Sequence, residues 1–186
     1  MNVGILALQG AFAEHAQVLE RLGVAWTELR QAKDLQKNYD GIILPGGEST
    51  VQGKLLKDLG MFQGLQEQIK AGLPVLATCA GMILLASEIE GEKQSYLSTI
   101  PMCVKRNAYG RQLGSFHTEA AVKGLGTVPM TFIRAPYVKE VAPDVEVLST
   151  IDDKIVGVRY HKQLAFAFHP ELDTNTHIHE AFLALL

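Results

Sequence analysis

Cysteine is scarce in this sequence: Cys79 and Cys103 are the only two among 186 residues. They could form at most one bridge, which excludes a disulfide framework. Charge of one sign is scarce too, with 17 Lys and Arg against 20 Asp and Glu, a net −3. That balance excludes a broad nucleic-acid surface, because phosphate binding needs a concentrated excess of cations. Long hydrophobic runs are missing as well. The longest, Pro74 to Ala86, is interrupted by Thr78 and Gly81, whereas a membrane-spanning helix needs about 20 apolar residues. The start, Met1-Asn2-Val3-Gly4, carries no basic region, apolar stretch or cleavage site, so no signal peptide is expected. Internal repeats, low-complexity tracts and linkers are absent. What is present is ordinary globular composition, 47% hydrophobic and 20% charged. A chain of this size buries roughly 70% of its unfolded surface without staples or structural metals. The expectation is a soluble, cytoplasmic chain forming one domain over residues 1–186, with no membrane or nucleic-acid partner.

The first half alternates short apolar runs with amphipathic stretches. Val3–Leu8, Val24–Leu29, Gly41–Leu44 and Pro74–Thr78 read as buried strands. Phe12, Ala16, Leu19 and Leu22 form a helical stripe between the first two, ended by Gly23. Val51 to Lys70 reads as helix broken at Gly60, and Ala80 to Glu88 as the helix behind the fourth strand. Strand–helix alternation of this kind predicts an α/β fold with a parallel sheet covered on both faces. In the second half, runs at 102–104, 114–121, 131–133, 145–149, 155–159 and 164–168 predict antiparallel additions to that sheet. Asp152-Asp153-Lys154 marks a hairpin turn, and a helix is expected near Thr176 to Leu186.

Three features could carry chemistry. Cys79 stands where a buried strand meets a helix, with Gly81 two residues on. Such a turn lifts a side chain above the sheet edge, and the helix N-terminus favours a thiolate. The same residue also reads as a small buried hydrophobe, as Cys103 does within its strand. His169-Pro170-Glu171 follows a strand. Proline keeps His169 extended, and i, i+2 spacing would then set Glu171 beside the ring. A carboxylate there holds one ring nitrogen protonated and frees the other to act on a thiol. The pair equally suits a satisfied histidine at a strand end. Pro45-Gly46-Gly47-Glu48-Ser49-Thr50 closes the third strand. Its glycines allow close backbone approach to a ligand, or make a plain turn into a helix capped by Ser49 or Thr50. It lacks the lysine and spacing of a nucleotide P-loop. All three fall at C-terminal strand ends, where open α/β sheets place ligands. That coincidence points to a cysteine hydrolase. His177 and His179 do not share a helical face, His15, His117 and His161 stand alone in sequence, and no metal site is expected.

The segments Leu-Gln-Gly-Ala at 8–11, Leu-Pro-Gly-Gly-Glu-Ser-Thr at 44–50, Thr-Cys-Ala-Gly at 78–81, Arg-Asn-Ala-Tyr-Gly-Arg-Gln at 106–112, Phe-Ile-Arg-Ala-Pro at 132–136 and Phe-His-Pro-Glu at 168–171 occur together and in order. With them the chain resembles, over nearly its whole length, the glutaminase subunits of pyridoxal 5′-phosphate synthase, which are class I (triad) glutamine amidotransferases. The resemblance implies a flavodoxin-like three-layer sandwich with a mixed, mostly parallel sheet. It implies hydrolysis of L-glutamine to glutamate and ammonia, with Cys79 as nucleophile, His169 as proton carrier and Glu171 orienting it. The backbone N–H groups of Gly47 and Ala80 would form the oxyanion hole. Gly47, Glu48, Ser49, Arg106, Ile133 and Arg134 match the glutamine-binding positions, with Arg106 or Arg134 suited to the substrate carboxylate and Glu48 to its ammonium.

The resemblance further implies a partner: a synthase subunit, in a large hetero-oligomer, that combines the ammonia with a pentose phosphate and a triose phosphate. Pyridoxal phosphate is then the partner's product, and no cofactor is expected here. The Gly46–Gly47 peptide is expected to be mis-set in the free subunit and to reorient on docking. The chain departs from the family pattern at Ala77, where glycine is usual, at Leu97–Pro101, and at Asn175 and His177, where aspartate and arginine are usual. Two other readings remain: a glutaminase of another pathway, such as imidazole glycerol phosphate synthesis, and a catalytically silent interaction subunit.

Overall fold

The computed structural model of the chain describes residues 1–106 and 114–186. Five strands form the part of the sheet that matters for the site. They are β1 (Asn2–Leu6), β2 (Ala25–Leu29), β3 (Gly41–Leu44), β4 (Val75–Thr78) and, much later in the chain, β12 (Gln163–Phe166). All neighbouring pairs in the order β2-β1-β3-β4-β12 are parallel. Every residue of β3, β4 and β12 is buried. Strands buried on both faces need cover on each, and the helices supply it. These are α1 (Phe12–Arg21), α2 (Ser49–Asp58), α3 (Phe62–Lys70), α4 (Ala80–Leu85) and α5 (His177–Leu183). The break expected at Gly60 is present, with φ +66° separating α2 from α3.

The remaining strands extend the sheet: β5 (Ala86–Ile89), β6 (Ile100–Lys105), β9 (Tyr137–Val141), β10 (Glu146–Ile151) and β11 (Lys154–Tyr160). The order continues β12-β11-β9-β6-β5, with β10 also paired to β11. β7 (Ser115–Val122) and β8 (Gly126–Ile133) form a separate two-stranded ribbon. Asp152 and Asp153, at φ 48° and 61°, make the two-residue turn from β10 to β11. That is the left-handed pair a tight hairpin requires. The α/β class, with a large and mostly parallel sheet, is as predicted.

Three local expectations are corrected. The second-half strands are not all antiparallel: β12 runs parallel to β4, and β5 parallel to β6. Reversal through the β11–β12 hairpin inserts β12 beside β4, where its fully buried composition belongs. The helix after Cys79 ends at Leu85, not Glu88, because Ser87 Oγ exchanges two 3.1 Å hydrogen bonds with the backbone of Met102 and draws 86–89 into strand pairing. Cys103 is half-buried and not core, since Met102 and Val104 take the inward face of β6. Among the described residues, no helix is long and apolar enough to cross a membrane.

Candidate active site

Because β3, β4 and β12 are parallel neighbours, their C-terminal ends lie along one edge of the sheet. The Cys79 N–H donates to the Phe166 carbonyl at 2.8 Å, extending the β4–β12 pairing by one residue. Cys79 itself has φ 48° and ψ −104°, a strained conformation that costs on the order of 1–3 kcal/mol and presents the side chain at the turn. Gly81 makes the turn possible. A Cβ there would run into the Leu44 carbonyl oxygen and lie 2.8 Å from its carbon, so only glycine lets α4 seat against β3. Ala77 is accommodated, fully buried in register with Leu44 and Ala165.

His169 follows β12 by way of Ala167 and Phe168. Its N–H donates to the Thr131 carbonyl at 2.8 Å, which ties the β7–β8 ribbon to this edge. Its Nδ1 lies 2.6 Å from Glu171 Oε1. The contact is made through the 3-10 turn Pro170–Leu172, and not along the extended segment that the spacing suggested. With Nδ1–H given to the carboxylate, Nε2 is the nitrogen left for Cys79. Burial opposes charge on His169, but the Cys79 side chain and the Glu171 carboxylate outweigh it and raise the His169 pKa. Cys79 Sγ stands 3.9 Å from the Ile133 carbonyl.

In front of Cys79 and His169 opens a cleft of about 320 Å³. Gly47, Glu48, Ser49, Arg106, Ile133 and Arg134, the positions that the resemblance assigns to glutamine binding, all line it. Ala80 is buried beside it as the first residue of α4, where the N–H has no intrahelical acceptor. Glu171 lies behind His169 and does not line the cleft. The Gly46 carbonyl accepts from the Ala11 N–H at 3.0 Å, and the trans Gly46–Gly47 peptide therefore directs the Gly47 N–H to the opposite side. Arg106 is tightly held. Its Nη1 donates to Ser49 Oγ at 2.7 Å, its Nη2 to the Tyr96 hydroxyl at 3.0 Å, and its Nε stands 2.6 Å from Glu92 Oε1. Arg134 is exposed, has a left-handed φ of 44°, and makes no ion pair among the described residues. Asn107 to Gln112, the rest of the predicted Arg106–Gln112 motif, lie outside the described residues. Among the described residues no cluster of three His, Cys, Asp or Glu side chains could hold a metal ion.

The SNO glutamine amidotransferase family matches residues 5–186. The chain belongs to the SNO glutamine amidotransferase family. It is 58% identical over 183 residues to the pyridoxal 5′-phosphate synthase subunit PdxT of Desulfitobacterium hafniense, spanning 98% of this chain and 92% of that one. It is 55% identical over 188 residues to the subunit of the same name from Streptococcus pneumoniae, spanning 100% and 97%. A crystal structure described as a glutamine amidotransferase superposes with a TM-score of 0.94 at 43% identity, over 98% of this chain and 97% of that one.

Two features of this SNO-family chain escaped the sequence reading. Gln9 lines the cleft, and its Oε1 accepts from the Glu48 N–H at 2.7 Å while its carbonyl accepts from Gln52 Nε2 at 2.9 Å. The only signal was its place in Leu-Gln-Gly-Ala. His15, which looked isolated, is fully buried against Glu171, and His179 is buried against His15. Nothing local marks residues 15, 171 and 179 as neighbours.

Proposed function

We propose that the chain is the glutaminase subunit of a pyridoxal 5′-phosphate synthase, hydrolysing L-glutamine and passing ammonia to a synthase subunit docked against it. What carries the reading is the meeting of Cys79 and His169 at the wall of one cleft, with Glu171 behind His169 on its Nδ1, in a chain of the SNO family whose relatives are named PdxT. In this mechanism the Cys79 thiolate attacks the side-chain amide carbon of glutamine. His169, charged by the proton that Cys79 gave up, protonates the departing nitrogen, and ammonia leaves behind a γ-glutamyl thioester. His169 then takes a proton from water as that water attacks the thioester, and glutamate is released with the thiol restored. Glu171 keeps His169 Nδ1 protonated throughout.

The Gly47 and Ala80 N–H groups are the donors we assign to the tetrahedral oxyanion, each worth about 3–4 kcal/mol in comparable sites. Ser49, Ile133 and Arg106 shape the cleft. Arg134 has no competing carboxylate among the described residues, which suits it to the substrate α-carboxylate, while Glu48 suits the ammonium. Docking is proposed to act through the Gly46–Gly47 peptide, and any reorientation there has to break the Gly46–Ala11 hydrogen bond.

The test is glutamine hydrolysis by the purified chain, alone and with its synthase partner. Activity that appears with the partner and vanishes in Cys79→Ala, with complex formation retained, supports the reading. Unchanged activity in Cys79→Ala overturns the nucleophile assignment. Activation by a synthase of another pathway would reassign the partner, and no turnover with any partner would make this a silent interaction subunit.

A further inference from the structure

Glu171 has two carboxylate oxygens, and the contact with His169 uses one. Oε2 makes no full hydrogen bond among the described residues and faces Nε2 of His15 at 3.5 Å. The same His15 Nε2 lies 3.1 Å from Thr78 Oγ1, at the residue just before Cys79. On its other side, His15 Nδ1 lies 2.9 Å from Nε2 of His179 in α5. His15, His179 and Thr78 are all fully buried. Two helices distant in sequence, α1 and α5, thus supply imidazoles behind Glu171: His15 faces its carboxylate, and His179 backs His15. Burying this much polar surface without use would be costly.

The hydrogen-bond pattern permits two tautomer arrangements, and the carboxylate chooses between them. If His15 carried its proton on Nδ1, a bare Nε2 lone pair would face a buried carboxylate oxygen, and His179 would keep a proton on Nδ1, which has no partner among the described residues. With the proton on Nε2, His15 points an N–H at Glu171 and Thr78. His179 then donates from Nε2 to His15, and the unpartnered His179 Nδ1 is a bare acceptor, which is less costly to bury than an N–H.

We propose that His15, braced by His179, is a positioning residue for Glu171: a neutral imidazole that supplies an N–H toward Oε2 and so holds Oε1 on His169. This rests on the proposed roles of Cys79, His169 and Glu171 in glutamine hydrolysis. Neutrality matters, because a charged His15 would share the carboxylate and weaken its hold on His169. The groups around His15 keep it neutral. Burial is the largest cause, followed by His179 and then His169, and together they hold its pKa well below 6.5. His179 is pushed down to about 4 by burial and by Arg21. Facing His15 are therefore Glu171 and His169 from the segment after β12, Thr78 from β4 and His179 from α5, with Arg21 of α1 acting on His179.

The test uses the full chain. In a Cys103→Ser background, where Cys79 is the remaining thiol, the rate of iodoacetamide alkylation against pH reports how well His169 stabilises the thiolate. His15→Leu is expected to raise the midpoint by about one pH unit, a tenfold loss of thiolate at a given pH. With the synthase partner present, kcat for glutamine should fall about tenfold or more while KM stays within about twofold. His15→Gln, which keeps an N–H near the place of Nε2, should restore most of both. An unchanged midpoint in folded His15→Leu overturns the proposal, as does a His15→Gln variant no better than His15→Leu. Should His15→Leu not fold, ¹⁵N spectra of histidine-labelled parent protein decide. A neutral Nε2–H tautomer at His15 supports the proposal, and an Nδ1–H tautomer overturns it. Full activity in Cys79→Ala would instead refute the underlying site, so the two failures are distinguishable.

Discussion

Gly46 lies so close to His169 that a Cβ there would overlap ring carbon Cε1 and come within 2.9 Å of Nδ1. The third strand therefore delivers a residue that has to be glycine for reasons of space. Cys79 Cβ would lie only 3.3 Å away, so the three residues form one packed unit in which none can shift alone.

Gly46→Ala should accordingly displace the imidazole from Glu171 or push the loop away from Cys79. Misplacement of a reacting group by about 1 Å costs on the order of 10²-fold in rate. We expect kcat for glutamine hydrolysis in the complex to fall by about that factor, with the fold retained by circular dichroism. Near-normal kcat would show that the ring is not confined by this residue.

The buried histidines give stability a pH dependence of known sign. His179 is held at about 4 in the folded protein against 6.5 unfolded, and His15 is held well below 6.5. Below 6.5 the unfolded chain takes up protons that the folded chain refuses, so stability is full above that pH and is lost as pH falls toward 4. His169, with its raised pKa, is charged in both states below 6.5 and adds no slope in that window. His179 alone accounts for about 3 kcal/mol. Urea unfolding at pH 7 and pH 4.5 should show the loss, and His179→Phe should flatten it. An equal slope in the variant would contradict a buried neutral His179.

Arg106 bridges Ser49, Tyr96 and Glu92 with three different nitrogens. A lysine ammonium cannot reproduce that planar fork. Arg106→Lys should loosen Ser49 at the cleft wall and raise KM for glutamine about tenfold, with a smaller change in kcat. An unchanged KM would remove Arg106 from the binding wall.

Much of this was readable locally. Gly-Gly after β3, Cys-Ala-Gly after β4 and His-Pro-Glu after β12 are each a strand end followed by a turn, and turn chemistry resides in neighbouring residues. The Asp152–Asp153 hairpin and the break at Gly60 were legible for the same reason. The true end of α4 was not, because Ser87 and Met102 compete for that segment from fifteen positions apart.

The sequence by itself determined that there are just two cysteines, the lack of any large charge excess, and the motifs that place the chain in its family. Those properties are carried by composition and by short stretches of chain. Only the tertiary structure decided that β12 lies parallel to β4, so that His169 arrives at the same edge as Cys79. It alone set His15 and His179 behind Glu171. Such relationships depend on which strand fills the centre of the sheet and on which helices then cover it. That choice is made by burial summed over the whole core, and no single segment records it.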